Sequence, residues 1–69
     1  MKRRFEFIGG GSDKFWEADV TGNEVTVRFG RNGTNGQTEQ KTFADEATAT
    51  KHAESKIAQK LGKGYVEIK

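Results

Sequence analysis

Val27-Arg28-Phe29-Gly30-Arg31-Asn32-Gly33-Thr34-Asn35-Gly36-Gln37 is the stretch on which the reading of this chain turns. It continues a two-residue alternation that puts Val25, Val27 and Phe29 on one side, the period of a half-buried β-strand. Two Asn-Gly pairs follow, the residue types that turn a chain back on itself. A strand over 24–31 entering a wide turn over 32–36 predicts a hairpin, with a mostly polar return strand over 37–43 that ends in Phe43. The triplet Phe29-Gly30-Arg31 sets a ring, a guanidinium and loop amides side by side at the strand end. That combination suits an anionic, planar partner such as a nucleic-acid end, and it is equally the chemistry of a tight turn.

Upstream, residues 3–8 alternate Phe5 and Phe7 against Arg4 and Glu6 and read as a first strand. Gly9-Gly10-Gly11-Ser12-Asp13 reads as a flexible turn or loop. Residues 14–21 form a second strand, with Trp16, Ala18 and Val20 on one face and Glu17 and Asp19 on the other. Gly22-Asn23 joins it to the third with the Gly-first order of a type II′ hairpin. Downstream, the period changes to about 3.6. Asp45 to Leu61 lacks Gly, and Ala47, Thr50, Ala53, Ile57 and Leu61 share one helical face. Asp45 suits the N-cap, Glu46 and Lys56 with Lys60 suit the two ends of the helix dipole, and Gly62 suits the C-terminal stop. Tyr65, Val66 and Ile68 suggest a short last strand. The expected architecture is α+β: an antiparallel sheet of four to five strands with one helix packed across it. The small Ala-rich helix face permits close approach to the aromatic sheet face.

At 69 residues the chain is one domain, and a fold of this size buries only about 60% of its unfolded surface. With no Cys there is no disulfide, thiolate nucleophile or Cys-based zinc site, so the core holds by packing alone. His52 is the only histidine and lacks a second ligand, so no metal or other cofactor is expected. The carboxylate pairs Glu17/Asp19 and Asp45/Glu46 stand beside no nucleophile, and the chain does not read as an enzyme. No apolar run approaches the roughly 20 residues that span a bilayer, and Lys2-Arg3-Arg4 is not followed by a signal-peptide segment. The reading is a cytoplasmic monomer with no membrane contact. Met1 reads as a true N-terminus, and the chain as the first domain of a longer bacterial protein.

Taken together, Lys14-Phe15-Trp16-Glu17, the triplet Phe29-Gly30-Arg31, Gly36-Gln37, Phe43, the helix, Lys60 and Gly64-Tyr65 resemble the WGR domain, named for a Trp-Gly-Arg triplet. The match runs from about Phe5 to Tyr65. The resemblance implies a curved antiparallel sheet with one helix. WGR domains occur in poly(ADP-ribose) polymerases and in bacterial proteins. In the polymerases the domain contacts a DNA strand end and neighbouring domains, the triplet's Trp packing on a sugar and its Arg touching the DNA. Here Phe29 replaces that Trp, keeping a π-face but losing area and the indole N–H. Gly30 and Arg31 match the family pattern, and no ADP-ribosyl transferase region is present.

Each candidate residue carries two readings. Phe29 is a stacking platform or a core residue that shares a face with Val25 and Val27. Arg31 is a phosphate or base contact, or it pairs across the hairpin with Glu39. Gly30, Gly33 and Gly36 form an anion-binding concavity or simply the turn. Lys2, Arg3, Arg4, Arg28, Arg31 and Lys41 converge on one side of the sheet or dissolve into a solvated face among Glu17, Asp19, Glu24 and Glu39. The expected site is Phe29, Gly30, Arg31, Arg28, Arg3 and Lys41, and the expected partner is nucleic acid, DNA ahead of RNA. The other function is protein–protein interaction or regulation within a larger protein, including contact with its neighbouring domains. The net charge of +2 does not by itself imply nucleic-acid binding.

Overall fold

Five strands and one helix make up the computed structural model, which describes residues 1–68. They are β1 (Lys2–Gly9), β2 (Ser12–Thr21), β3 (Glu24–Arg31), β4 (Gln37–Thr42), α1 (Glu46–Gly62) and β5 (Val66–Ile68). The sheet order is β4-β3-β2-β1-β5, with every neighbouring pair antiparallel. Four strands form a meander, α1 crosses one face, and the chain returns as an edge strand beside β1. The α+β architecture read from the sequence is the one observed. Among the described residues no helix is long and apolar enough to cross a membrane.

Turn chemistry sets the register. Gly9 pairs with Ser12, so Gly10 and Gly11, at φ 55° and 83°, make a two-residue turn in place of the expected longer loop, and β2 starts at Ser12. Two successive positive φ angles fit a type I′ turn, whose twist matches the strands it joins. Gly22, at φ 61°, precedes Asn23 between the paired Thr21 and Glu24, as the type II′ reading required.

The core lies between α1 and the sheet. Phe5, Trp16, Ala18 and Ile57 form one cluster, and Val20, Val25, Ala49 and Ala53 the other. Burying side chains such as Phe5, which is 0% exposed, stabilises by roughly 1.5–3 kcal/mol each. The buried helix row is Ala49, Ala53 and Ile57, which corrects the expected face: Ala47 is exposed and Leu61 is 49% exposed. An i, i+4 row drifts about 40° around the helix at each step, so Leu61 has rotated off the sheet. Lys60 instead lies over the Trp16 ring, its Nζ 5.8 Å from the centroid.

The helix ends are fixed by local hydrogen bonds. The Thr48 amide donates to the Asp45 carboxylate at 2.8 Å, confirming the N-cap. The expected stop at Gly62 moves to Gly64. Gly64 donates to the Leu61 carbonyl and Tyr65 to that of Lys60, the paired bonds of a Schellman motif, with Gly64 at φ 103°.

The far face of the sheet carries a polar cluster around a second buried ring. Phe15 is 2% exposed, with the Arg4 and Arg28 guanidinium carbons 4.6 and 5.0 Å from its centroid. Glu17 accepts from Arg4 Nη1 at 2.5 Å and from Arg28 Nη2 at 2.9 Å, and Lys2 lies 3.9 Å away. The hydrogen bond from Arg28 leads in holding the Glu17 carboxyl below its usual range, against the opposing effect of burial.

Candidate nucleic-acid interface

Strand alternation sorts the expected site residues. Pairing places Arg31 opposite Lys14, Phe29 opposite Trp16, and Arg3 opposite Ala18, so all of these point to the helix side. Lys41, opposite Val25, joins them. Arg28 lies opposite Glu17 on the far face, with Lys2 and Arg4 one strand away. The basic residues considered as one patch are therefore divided between two faces. Arg28 is paired with Glu17, which raises the pKa of its guanidinium. Arg3 donates two bonds of 2.8 Å to Glu67. Both are engaged in intramolecular ion pairs.

What the structure brings together is a smaller set, at the end of the sheet that α1 leaves uncovered. An open groove of about 430 Å³ is lined by Lys14, Trp16, Phe29, Gly30, Arg31, Lys60 and Tyr65, among others. Phe29 packs against the first core cluster yet remains half-buried, so it is both core rim and groove wall. Arg31 is exposed and forms no ion pair with Glu39, which β4 places opposite Val27, well along the strand. The Arg31 carbonyl accepts from the Thr34 amide and hydroxyl, fixing the backbone while the guanidinium faces solvent.

Lys14 and Lys60 were not among the expected site residues. The Lys14 Nζ lies 5.3 Å from the Phe7 centroid and 5.9 Å from that of Tyr65, and Lys60 lies 5.2 Å from Tyr65. The rings hold both ammonium groups by cation–π attraction. Burial pushes the Lys60 pKa down, with repulsion from Lys63, Lys14 and Lys56 adding to it. Among the described residues, none of Lys14, Arg31 and Lys60 is within ion-pair distance of a carboxylate. Lys14 was legible in principle, since it sits two residues before Trp16 and so shares its face.

Two of the glycines have a steric role. A Cβ on Gly36 would overlap the Phe29 carbonyl and stand 2.9 Å from Phe15 Cζ, while one on Gly30 would stand 2.8 Å from the Gly36 Cα. Gly30 and Gly36 therefore pass backbone against backbone beside Phe15. The turn reading accounts for both positions, and Gly30 contributes to the groove as bare backbone.

Known proteins are similar to this chain. Two Escherichia coli (strain K12) proteins are similar: the uncharacterized protein YfeS, 39% identical over 67 residues, and protein YehF, 42% identical over 65. The matches cover 97% and 94% of this chain but 28% and 24% of those proteins. A crystal structure of a Bacteroides fragilis protein superposes with a TM-score of 0.96 at 48% identity, covering 100% of this chain and 20% of that one. The chain thus spans only about a quarter of the length of its relatives. The family model that describes the WGR domain matches residues 1–69. From the first residue to the last, the chain belongs to the WGR domain family.

Proposed function

We propose that this domain is a non-catalytic module that binds DNA at ends or nicks through the groove formed by Lys14, Phe29, Arg31 and Lys60. The observation that carries the reading is the convergence of three cations without carboxylate partners around an aromatic-lined groove. Family membership supports nucleic-acid binding in general. Lys14, Arg31 and Lys60 supply the charge that a phosphate backbone requires. Phe29, partly exposed at the groove wall, offers its ring to a sugar or terminal base, with less area than the indole of the family triplet. With so few contacts, affinity falls in the range of non-specific binders, about 10⁻⁴–10⁻⁶ M.

Fluorescence anisotropy at low salt tests this, using a dumbbell duplex with closed ends, intact or carrying one nick. The nicked form is expected to bind more tightly, and Arg31→Ala to weaken it. Equal binding of the two forms, or binding indifferent to Arg31→Ala, would refute the reading.

A second reading, a protein-interaction module, draws on one observation. Ile8, Val66 and Ile68 are 71%, 63% and 45% exposed. They lie on the far face at the β1–β5 edge. A protein partner retained after nuclease treatment and lost in Val66→Ser/Ile68→Ser would favour it.

A further inference from the structure

The groove proposed to bind DNA does not end at Lys60. A second depression of about 440 Å³ runs on from it between α1 and β4 and shares Trp16, Phe29 and Lys60 with the first. Its floor includes Val25, Val27 and Phe29, and the last two are only half-buried because α1 packs chiefly over β2 and β3 and leaves β4 bare. Its walls carry Lys56 and Lys60 from α1, Lys63 from the cap just beyond it and Lys41 from β4, against the single carboxylate of Glu39. Gln40 and Gln59 add amide donors and acceptors. None of these four lysines is ion-paired within the described residues.

We infer that this second groove is a track for a single-stranded nucleic-acid segment continuing from the DNA end held at Lys14 and Arg31. The inference rests on the function proposed for the first groove. Charge complementarity identifies the occupant: lysines along an apolar floor match a phosphate backbone with its bases turned inward. A duplex does not suit a channel walled on one side by a helix and on the other by an edge strand. Lys56 on α1 and Lys63, the residue that caps its C-terminal end, are seven residues apart and so span about 10 Å along the helix axis. At about 3.4 Å per stacked nucleotide, that length takes roughly three nucleotides. The partly exposed Phe29 ring lies where the two grooves meet and is placed to stack on the first unpaired base.

The test measures anisotropy for a blunt duplex and for the same duplex with a short single-stranded extension, placed at either the 3′ or the 5′ end. The wild-type domain is expected to bind one extended form more tightly. Its log–log salt dependence is expected to be steeper by about 1.4, from two further single-strand contacts at Lys56 and Lys63. The variant Lys56→Ala/Lys63→Ala removes only exposed side chains and is checked for folding by circular dichroism. It is expected to bind the blunt duplex as the wild type does and to lose the gain from the extension. If the blunt duplex binds and neither extension adds affinity, or if the variant keeps the gain, the track is overturned alone. If no DNA binds, the first groove's assignment falls with it.

Discussion

Gly33 and Gly36 sit three residues apart in the same turn, at φ 90° and 70°, yet alanine is expected to act very differently at the two. An L-residue held at positive φ costs roughly 1–2 kcal/mol, and both variants bear that cost. At Gly33 a Cβ would meet nothing within 4 Å. At Gly36 it would overlap the Phe29 carbonyl and press on Phe15 Cζ at 2.9 Å, and overpacking of this kind costs about 1–3 kcal/mol more. A domain of 69 residues has only about 3–10 kcal/mol of stability in total. At roughly 7 °C per kcal/mol for a chain this small, Gly36→Ala should melt about 7–20 °C below Gly33→Ala. Thermal unfolding followed by circular dichroism measures the difference directly. Equal melting temperatures would show that the turn does not press its backbone against Phe15, and the structural reading of Gly30 and Gly36 would fail with it.

Three further outcomes follow from the same contacts. The three phosphate contacts proposed for Lys14, Arg31 and Lys60 predict a log–log salt slope near −2.7 on duplex DNA, about a 40-fold loss of affinity between roughly 50 and 200 mM salt; Arg31→Ala should bring the slope to about −1.8 and the loss to about 12-fold. Glu17→Gln removes the charge that Arg4 and Arg28 both engage, and urea unfolding should show a loss of about 1–3 kcal/mol. The Glu17 carboxyl is held below its ordinary value in the folded state, chiefly by Arg28, so its contribution is complete above an unfolded pKa near 4.3 and fades as pH falls through the lower folded value. Stability in the wild type should therefore drop more steeply below about pH 4.3 than in Glu17→Gln, as denaturant titrations at stepped pH would show.

The fold was legible where one local signal had one structural meaning. Alternation located the strands, Gly22-Asn23 its turn, and Asp45 the helix start. Reading failed where geometry depended on distant partners. The helix face was misjudged because Ala-rich sequence leaves its buried row ambiguous, and only packing on Trp16 and Val25 selects Ala49, Ala53 and Ile57. Gly62 and Gly64 are both credible stops, and hydrogen bonds from Gly64 and Tyr65 decide between them. Of the expected site, Phe29, Gly30 and Arg31 meet at one groove because they are consecutive. Lys14 and Lys60 reach it across the sheet and from the helix, separations that no short motif expresses.

The low net charge conceals a sorting of charge that the sheet imposes. Alternation sends Lys2, Arg4 and Arg28 to the far face together with Glu6 and Glu17, and there ion pairs offset most of their charge. Arg3 is taken up by Glu67 on the helix side. Lys14, Arg31, Lys41, Lys56, Lys60 and Lys63, none ion-paired among the described residues, line the two connected grooves. Summed over the chain, acidic residues elsewhere offset these cations and leave +2, yet the surface around the two grooves is far more basic than that total. The sorting also separates two tasks. Arg4 and Arg28, ion-paired on the far face, pack on Phe15 beneath the glycine turn, and the lysines and Arg31 lining the grooves on the helix side stay unpaired among the described residues. Moving any one of the strands by a single residue would exchange its faces and abolish both tasks at once, so the tight turns at Gly10-Gly11 and Gly22-Asn23 are as necessary to the groove as the residues that line it.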